Sequence, residues 1–303
     1  MAAQAIGFIG LGVMGGPMAG HLAAAGHPMT VFDISSAAVG RLQALHPRVN
    51  AAESPAAVAA ASDVVITMLP SGKEVRETAL GPGGLLEGFR PGSLLLDTSS
   101  AQPWLTKDVG GRLAEMGVAM VDAPVSGAEV GARTAKLVFM VGGEPADVER
   151  VLPILEVLGK AHFHLGPLGS GHVMKAINNL ISAVTLTVTT EGLLAGTSYG
   201  LDPTVMRDVL NVSTGGSWVS KICFEGVFNR RFDDAFKLDL MKKDIDIANV
   251  IVSDLDLDLP HFAMVQRLWS DIQAEAPPGV SLSHLVRALE MKAGVELKPK
   301  AAG

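Results

Sequence analysis

The first half of the chain alternates two kinds of apolar pattern. Short, nearly continuous apolar runs recur at Ala5–Ile9, Met29–Phe32, Val64–Met68, Ser93–Leu96, Ala119–Val121 and Leu137–Val141. Between them lie longer amphipathic or alanine-rich stretches, such as Ala37–Leu45, Thr106–Met116 and Ala146–Leu158. Strands with nearly continuous apolar runs are buried on both faces, and strands separated by helices pair in parallel. The pattern predicts a doubly wound, mostly parallel α/β sheet. Polar or turn residues close the runs: Gly10, Asp33, Leu69–Pro70, Asp97, Asp122 and Gly142–Gly143. In open α/β sheets, ligands bind at such strand ends.

The rhythm changes at Gly166-Pro167-Leu168-Gly169, and no strand is expected beyond it. Long helical stretches follow, punctuated at Gly200–Pro203, Ser213–Gly216, Pro260 and Pro277–Pro278. The first runs from about Gly171 to Gly196, is apolar on most faces and is predicted to be buried. Residues 1–165 are expected to form one domain and residues 166–303 an all-helical second one, joined through that long helix. Lys298–Gly303 reads as a frayed end.

Composition narrows the functional classes. With 24 Lys+Arg against 31 Asp+Glu, the net charge is −7, which disfavours nucleic acid or anionic lipid as partners. A local cationic pocket could still hold a small anionic substrate. Hydrophobic residues make up 48% and charged residues 18%, enough for a core and too apolar for disorder. Cys223 stands alone, so no intrachain disulfide forms and a reducing compartment fits. The mean hydropathy of +0.34 raises the question of a membrane span. The nearest candidate, Leu180–Thr190, is shorter than the ~18 residues required, rich in threonine and bounded by Asn178, Asn179 and Glu191. No basic residue precedes the first apolar run, so a secretory signal is not expected. A soluble, cytoplasmic protein is the expectation.

Gly10-Leu11-Gly12-Val13-Met14-Gly15 matches G-x-G-x-x-G. Alone it is a weak signal; here it follows the first strand, opens a helix and precedes Asp33 at the end of the second strand. Gly10 would make the tight turn, Gly12 would let the backbone approach a pyrophosphate, and Gly15 would let helix and strand pack closely. The helix N-terminus supplies amide donors for the phosphates. The Asp33 carboxylate could accept both adenosine ribose hydroxyls and would repel a 2′-phosphate. The next arginine is Arg41, so NAD is expected rather than NADP.

A second informative stretch is Gly169-Ser170-Gly171-His172-Val173-Met174-Lys175-Ala176-Ile177-Asn178-Asn179. Lys175 lies about one turn into the long helix, with Asn178 and Asn179 at i+3 and i+4 on its face. A lysine among Val173, Met174, Ala176 and Ile177 could pack its stem and reach water. Alternatively it takes the hydroxyl proton as hydride leaves the substrate carbon. Burial, the helix N-terminus and a positive nicotinamide would each disfavour its ammonium form. Asn179 would orient it or bond the reacting oxygen. Asp122-Ala123-Pro124-Val125-Ser126-Gly127-Ala128 is either a plain turn or a carboxylate-holding turn with free amides and a hydroxyl. Lys242-Lys243-Asp244 reads from its residues alone as a solvated helix surface. No metal site is expected.

In order along the chain, Gly7–Gly15, Asp122–Gly131, Gly169–Asn179 and Lys243-Asp244 resemble the β-hydroxyacid dehydrogenase family, of 3-hydroxyisobutyrate dehydrogenase-like enzymes. The resemblance covers Ile6 to about Leu289. It implies a Rossmann domain, a long helix, an all-helical domain and an active site between the domains. By position, it implies that Lys175 is the catalytic lysine and that Asn179, beside Asn178, binds substrate. Ser126 and Gly127 would grip the substrate carboxylate, Lys243 would sit near the nicotinamide end, and Met68-Leu69-Pro70 with Ser99-Ser100 would line the cofactor. Trp218, within Val212–Val219, would shape the pocket that reads the substrate's side group. A homodimer or homotetramer is implied. Two departures stand out: Ala128 where the family turn commonly has glycine, and His21 where asparagine is common.

The expected function is hydride transfer between NAD and the hydroxyl-bearing carbon of a small 3-hydroxy acid. The alternatives are an NADPH-preferring reductase of a small aldehyde acid such as glyoxylate or succinic semialdehyde, an imine reductase, and a non-catalytic dinucleotide-binding scaffold. The last two usually lack the lysine.

Overall fold

The computed structural model describes residues 4–234 and 236–300. Its contacts divide the chain into two compact units, one running to Lys175 and the other beginning at Ala176. The first holds β1 (Ile6–Ile9), α1 (Gly15–Ala24), β2 (Met29–Phe32), α2 (Ser36–Leu45), β3 (Asn50–Ala51), α3 (Pro55–Ala60), β4 (Val64–Thr67), α4 (Gly72–Leu80), α5 (Leu85–Gly88) and β5 (Leu94–Asp97). It continues through α6 (Pro103–Ala114), β6 (Ala119–Asp122), β7 (Val125–Ser126), α7 (Ala128–Arg133), β8 (Leu137–Gly142), α8 (Pro145–Leu158) and β9 (Gly159–Gly166). The division falls inside α9 (Ser170–Tyr199). The second unit adds α10 (Pro203–Val212), α11 (Trp218–Ile222), α12 (Phe224–Phe228), α13 (Leu238–Asp254), α14 (Pro260–Glu275) and α15 (His284–Ala293).

Among the described residues nine strands form one sheet, in the order β3-β2-β1-β4-β5-β6-β8-β7 with β9 on β8. β1 pairs in parallel with β2 on one side and β4 on the other. The strand order reverses beside β1, the position at which doubly wound sheets open a crevice. Successive side chains of a strand face opposite ways, and the two faces feed separate cores. Phe8, Ile66 and Leu96 pack with Met18 and Leu22, whereas Ile9, Val65 and Leu95 pack with Val58, Val109 and Leu113.

All six expected strands form, with ends within a residue or two of the apolar runs. The short β3 and β7 and the long β9 had no apolar run to reveal them. β9 carries Lys160, His162 and His164 and is exposed along most of its length. The sheet also ceases to be parallel at β8, which runs antiparallel to β6 and β7. The stretch from β7 to β8, residues 127–136, is shorter than the crossover of about a dozen or more residues that a parallel partner needs. α8 supplies such a crossover, and β9 accordingly returns parallel to β8.

In the second unit, Leu180, Ala183, Leu186 and Leu193 of α9 share a core with Phe224, Ile245, Trp269 and Leu285. The Trp269 indole donates to the buried Thr187 hydroxyl at 3.1 Å. α9 is less enveloped than its composition suggests: Ile181 is 51% and Val188 50% exposed. Several of its hydroxyls bond within the helix, Ser182 to the Asn178 carbonyl and Thr190 to that of Leu186 among them. By length and composition α9 could cross a membrane, yet its leucine face is occupied by this core. In the described part of the chain end the Lys300 amide donates to Asp202 Oδ2 at 2.6 Å; residues 301–303, the rest of the end expected to fray, lie outside the described ones. Cys223 closes α11, and burial, with the nearby Asp234 charge, pushes its thiol up to about 12.

Candidate active site

The glycine turn begins where β1 ends. Gly10 has φ +94°, and a Cβ there would lie 2.3 Å from the Met68 carbonyl oxygen. A Cβ at Gly15 would lie 1.8 Å from the Gly10 carbonyl oxygen, so the first turn of α1 seats directly on the loop. A Cβ at Gly12 would meet nothing within 4 Å. That open space fits a glycine kept for something outside the chain, as a pyrophosphate requires. Val13 is 56% exposed, and Met14 is half-buried and precedes α1.

Asp33 follows β2 and binds this turn. Its Oδ2 accepts the Leu11 amide at 2.6 Å and its Oδ1 the Ser35 amide at 2.7 Å. A carboxylate offers about four lone-pair sites, so capacity remains for ribose hydroxyls. Met68 and Leu69 are half-buried and Pro70 exposed, directly after β4. Ser99 lies beneath them, fully buried, and its hydroxyl accepts the Leu69 amide at 2.9 Å. Ser99 thus braces the loop, whereas Ser100 is half-buried.

Ser126 ends β7, Gly127 (φ +132°) precedes α7, and Ala128 begins that helix with φ +53°. The first amides of a helix have no intrahelical acceptor, so the turn offers amides beside a hydroxyl. Ala128 is exposed. His21, the other departure, ties α1 to the end of α7: its Nε2 lies 3.1 Å from the carbonyls of Ala132 and Arg133.

The start of α9 is anchored by a buried polar cluster to which the sequence assigned no role. Asp122 accepts the amides of Gly169 at 2.7 Å and His172 at 2.8 Å. A Cβ at Gly171 would lie 2.2 Å from the Met140 carbonyl oxygen, which is why glycine stands there. Burial raises the Asp122 carboxyl above the usual range, opposed by His172 and the two amides. His172 is 1% exposed; its Nδ1 lies 2.8 Å from Thr106 Oγ1 and its Nε2 3.1 Å from the Ser99 carbonyl. Asp97 accepts the Thr67 hydroxyl and the Ser99 amide through Oδ1. Lys175 follows in the second turn of α9. It is half-buried, as are Val173 and Met174 beside it, and so less enclosed than expected.

In the second unit, Asn179 is 5% exposed and donates to Asp244 Oδ2 at 2.5 Å, while Asn178 donates to Asn179 Oδ1 at 3.0 Å. Lys243 Nζ is 3.5 Å from Asp244 Oδ1. The lysine pair is not the solvated surface its residues suggested. Lys242 is 7% exposed and paired with Asp246 at 2.6 Å, and Asp244 is 1% exposed. α13 packs these charges in because partners sit within one turn. Trp218, 59% exposed, opens α11 behind a Ser217–Ser220 capping box. Among the described residues no group of three His, Cys, Asp or Glu is placed to hold a metal ion.

Two family profiles match nearly end to end. The NAD binding domain of 6-phosphogluconate dehydrogenase covers residues 5–166. The NAD-binding domain of NADP-dependent 3-hydroxyisobutyrate dehydrogenase covers residues 169–289. The chain is 36% identical over 292 residues to 2-hydroxy-3-oxopropionate reductase of Escherichia coli (strain K12), covering 96% of this chain and 99% of that one. It is 38% identical over 250 residues to NAD-dependent L-serine dehydrogenase of Pseudomonas aeruginosa, covering 80% and 83%. The solved structure of Mycobacterium tuberculosis 3-hydroxyisobutyrate dehydrogenase with L-serine superposes with a TM-score of 0.85 at 30% identity, covering 95% of this chain and 99% of that one.

The strand-order reversal with a glycine turn and a strand-end aspartate beside it suits a dinucleotide, and the relatives make the chain an NAD(P)-dependent oxidoreductase acting on CH–OH groups. Within that class, the chain belongs to the β-hydroxyacid dehydrogenase family of 3-hydroxyisobutyrate dehydrogenase-like enzymes.

Proposed function

We propose that this enzyme interconverts a small 3-hydroxy acid, 3-hydroxyisobutyrate- or serine-like, with its semialdehyde, using NAD and Lys175. The observation that carries the reading is the place of Lys175, half-buried in the second turn of a helix whose start is bonded to the sheet through Asp122. NAD, when bound, accepts hydride in oxidation and returns it in reduction. Gly10–Gly15 hold the pyrophosphate through backbone amides, and Asp33 holds the adenosine ribose. Met68, Leu69, Pro70 and Ser100 line the cofactor, with Ser99 bracing them. Ser126 and the amides around Gly127 and Ala128 hold the substrate carboxylate. Asn178 and Asn179 orient the reacting oxygen, Trp218 borders the side-group pocket, and Lys243 lies toward the nicotinamide end. Lys175 Nζ takes the hydroxyl proton during oxidation and gives it back to the forming alkoxide in reduction.

Residues 1–165 serve the cofactor, apart from the Ser126–Ala128 turn, and residues 166–303 the substrate and oligomer. Copies of the chain pair as a homodimer or homotetramer. Val205, Val209 and Val212 support this: they recur at helical spacing on α10 and are 60%, 55% and 88% exposed. A soluble cytoplasmic enzyme without nucleic-acid or membrane partners is supported by the net charge of −7 and the core-bound face of α9.

Lys175→Ala tests the reading. The variant should bind NAD normally and lose about three orders of magnitude or more in kcat; near-normal turnover overturns it. The name of the Escherichia coli relative favours a second reading, in which reduction of an aldehyde acid with NADPH is the physiological direction. Asp33 supports NAD instead. Steady-state kinetics with both cofactors decide: kcat/KM should favour NAD about 10²-fold, and an NADPH preference selects the alternative.

A further inference from the structure

His172 is buried, titratable and unused by the proton transfer just described. Its Nε2 faces the Ser99 carbonyl at 3.1 Å. A carbonyl oxygen only accepts, so Nε2 carries hydrogen and donates. Asp97 Oδ2, which has no hydrogen-bond partner among the described residues, lies 3.7 Å from the same nitrogen. On the other side of the ring, Nδ1 meets Thr106 Oγ1 at 2.8 Å, and that hydroxyl also lies 3.2 Å from the Gln102 carbonyl. Both ring nitrogens are therefore engaged, and by residues beyond α9 itself.

The arrangement gives α9 two anchors. Asp122, at the end of β6, holds the backbone amides of Gly169 and His172. Bonds to the first amides fix where the helix begins and leave rotation about its axis weakly opposed. The His172 ring reaches sideways to Ser99, beyond the end of β5, and opposes that rotation. Lys175 stands three residues further on, beside His172 on the same side of the helix. With side chains reaching about 5–6 Å from the axis, a rotation of roughly 10° moves their tips by about 1 Å. A displacement of that size costs about 10²-fold in rate.

The same contact continues toward the cofactor. Ser99 accepts His172 Nε2–H through its carbonyl and the Leu69 amide through its hydroxyl. We propose that His172 is a positioning residue that fixes the rotation of α9, and with it Lys175, against the Met68–Pro70 loop through Ser99. The proposal rests on the reading of Lys175 given above.

The test compares His172→Leu, His172→Gln and Thr106→Val with Lys175→Ala. His172→Leu keeps bulk and loses both bonds. Its kcat should fall about 10²-fold, with the NAD Kd and substrate KM within about threefold of wild type. His172→Gln can return a donor to the Ser99 carbonyl and should recover kcat to within about tenfold of wild type. Thr106→Val leaves the fold with a near-isosteric change and covers the case in which His172→Leu does not fold; its kcat should fall about fivefold. A readout independent of turnover is the nitrogen-edited proton spectrum of cofactor-free protein. The His172 Nε2–H should appear as a slowly exchanging signal and shift when NAD is added. Wild-type kcat in His172→Leu, or in Thr106→Val if His172→Leu does not fold, overturns the proposal, as does an Nε2 without hydrogen. Activity retained in Lys175→Ala defeats the earlier reading instead, and the two failures are thus told apart.

Discussion

Two strand-to-helix turns of the first unit differ in their tolerance for a side chain. The turn after β1 is closed: Cβ atoms at Gly10 and Gly15 would fall 2.3 Å and 1.8 Å from backbone oxygens. The turn after β7 is open at its third position. It places Ala128 at φ +53°, a region that favours glycine, yet the residue is exposed and the methyl is accommodated. The first turn therefore dictates residue type by contact. The second does so only by backbone preference, a smaller energy. A family position can thus drift from glycine to alanine in one turn and not in the other.

The sharpest way to break this contrast is Gly15→Ala. It forces a methyl onto the Gly10 carbonyl and should cost about 3 kcal/mol, read as a fall in the denaturant midpoint with loss of NAD binding. A normally stable variant would mean that the loop gives way easily. Gly12→Ala separates contact within the chain from contact with ligand. Stability should change by less than about 0.5 kcal/mol, while NAD affinity, measured by calorimetry, should weaken about tenfold or more. Ala128→Gly is the mild case. Relief of left-handed strain, ~1 kcal/mol, is partly offset by the greater freedom of glycine in the unfolded chain. Stability should rise by about 0.5 kcal/mol or less, with KM for the acid changed less than threefold. A gain above about 2 kcal/mol would show that the second turn is as constrained as the first.

The cofactor half was readable because its signals are local. Apolar runs, glycines at fixed offsets and Asp33 at a strand end all lie within a few dozen residues. The cluster of Asp97, Asp122 and His172 was not readable, although each residue stood in plain view. Residues 97, 122 and 172 meet only after β5 and β6 pair and α9 docks on them, and no spacing rule joins them. Lys242 and Asp244 misled for a related reason: charge suggested solvent, while Asp246 and Asn179 supplied the partners that let these two groups be buried. α9 misled in the opposite sense, since leucines and valines spread around it suggested full enclosure and Ile181 and Val188 are instead exposed.

Cys223 has a practical consequence for anyone who wants to watch this enzyme move. Thiolate is the reactive form of cysteine, and a thiol pushed up to about 12 holds almost none of it near neutrality. Maleimide or spin-label reagents should therefore pass over the native sulfur. A dye introduced through one engineered surface cysteine would then report from that position alone, with no need to delete the natural residue first.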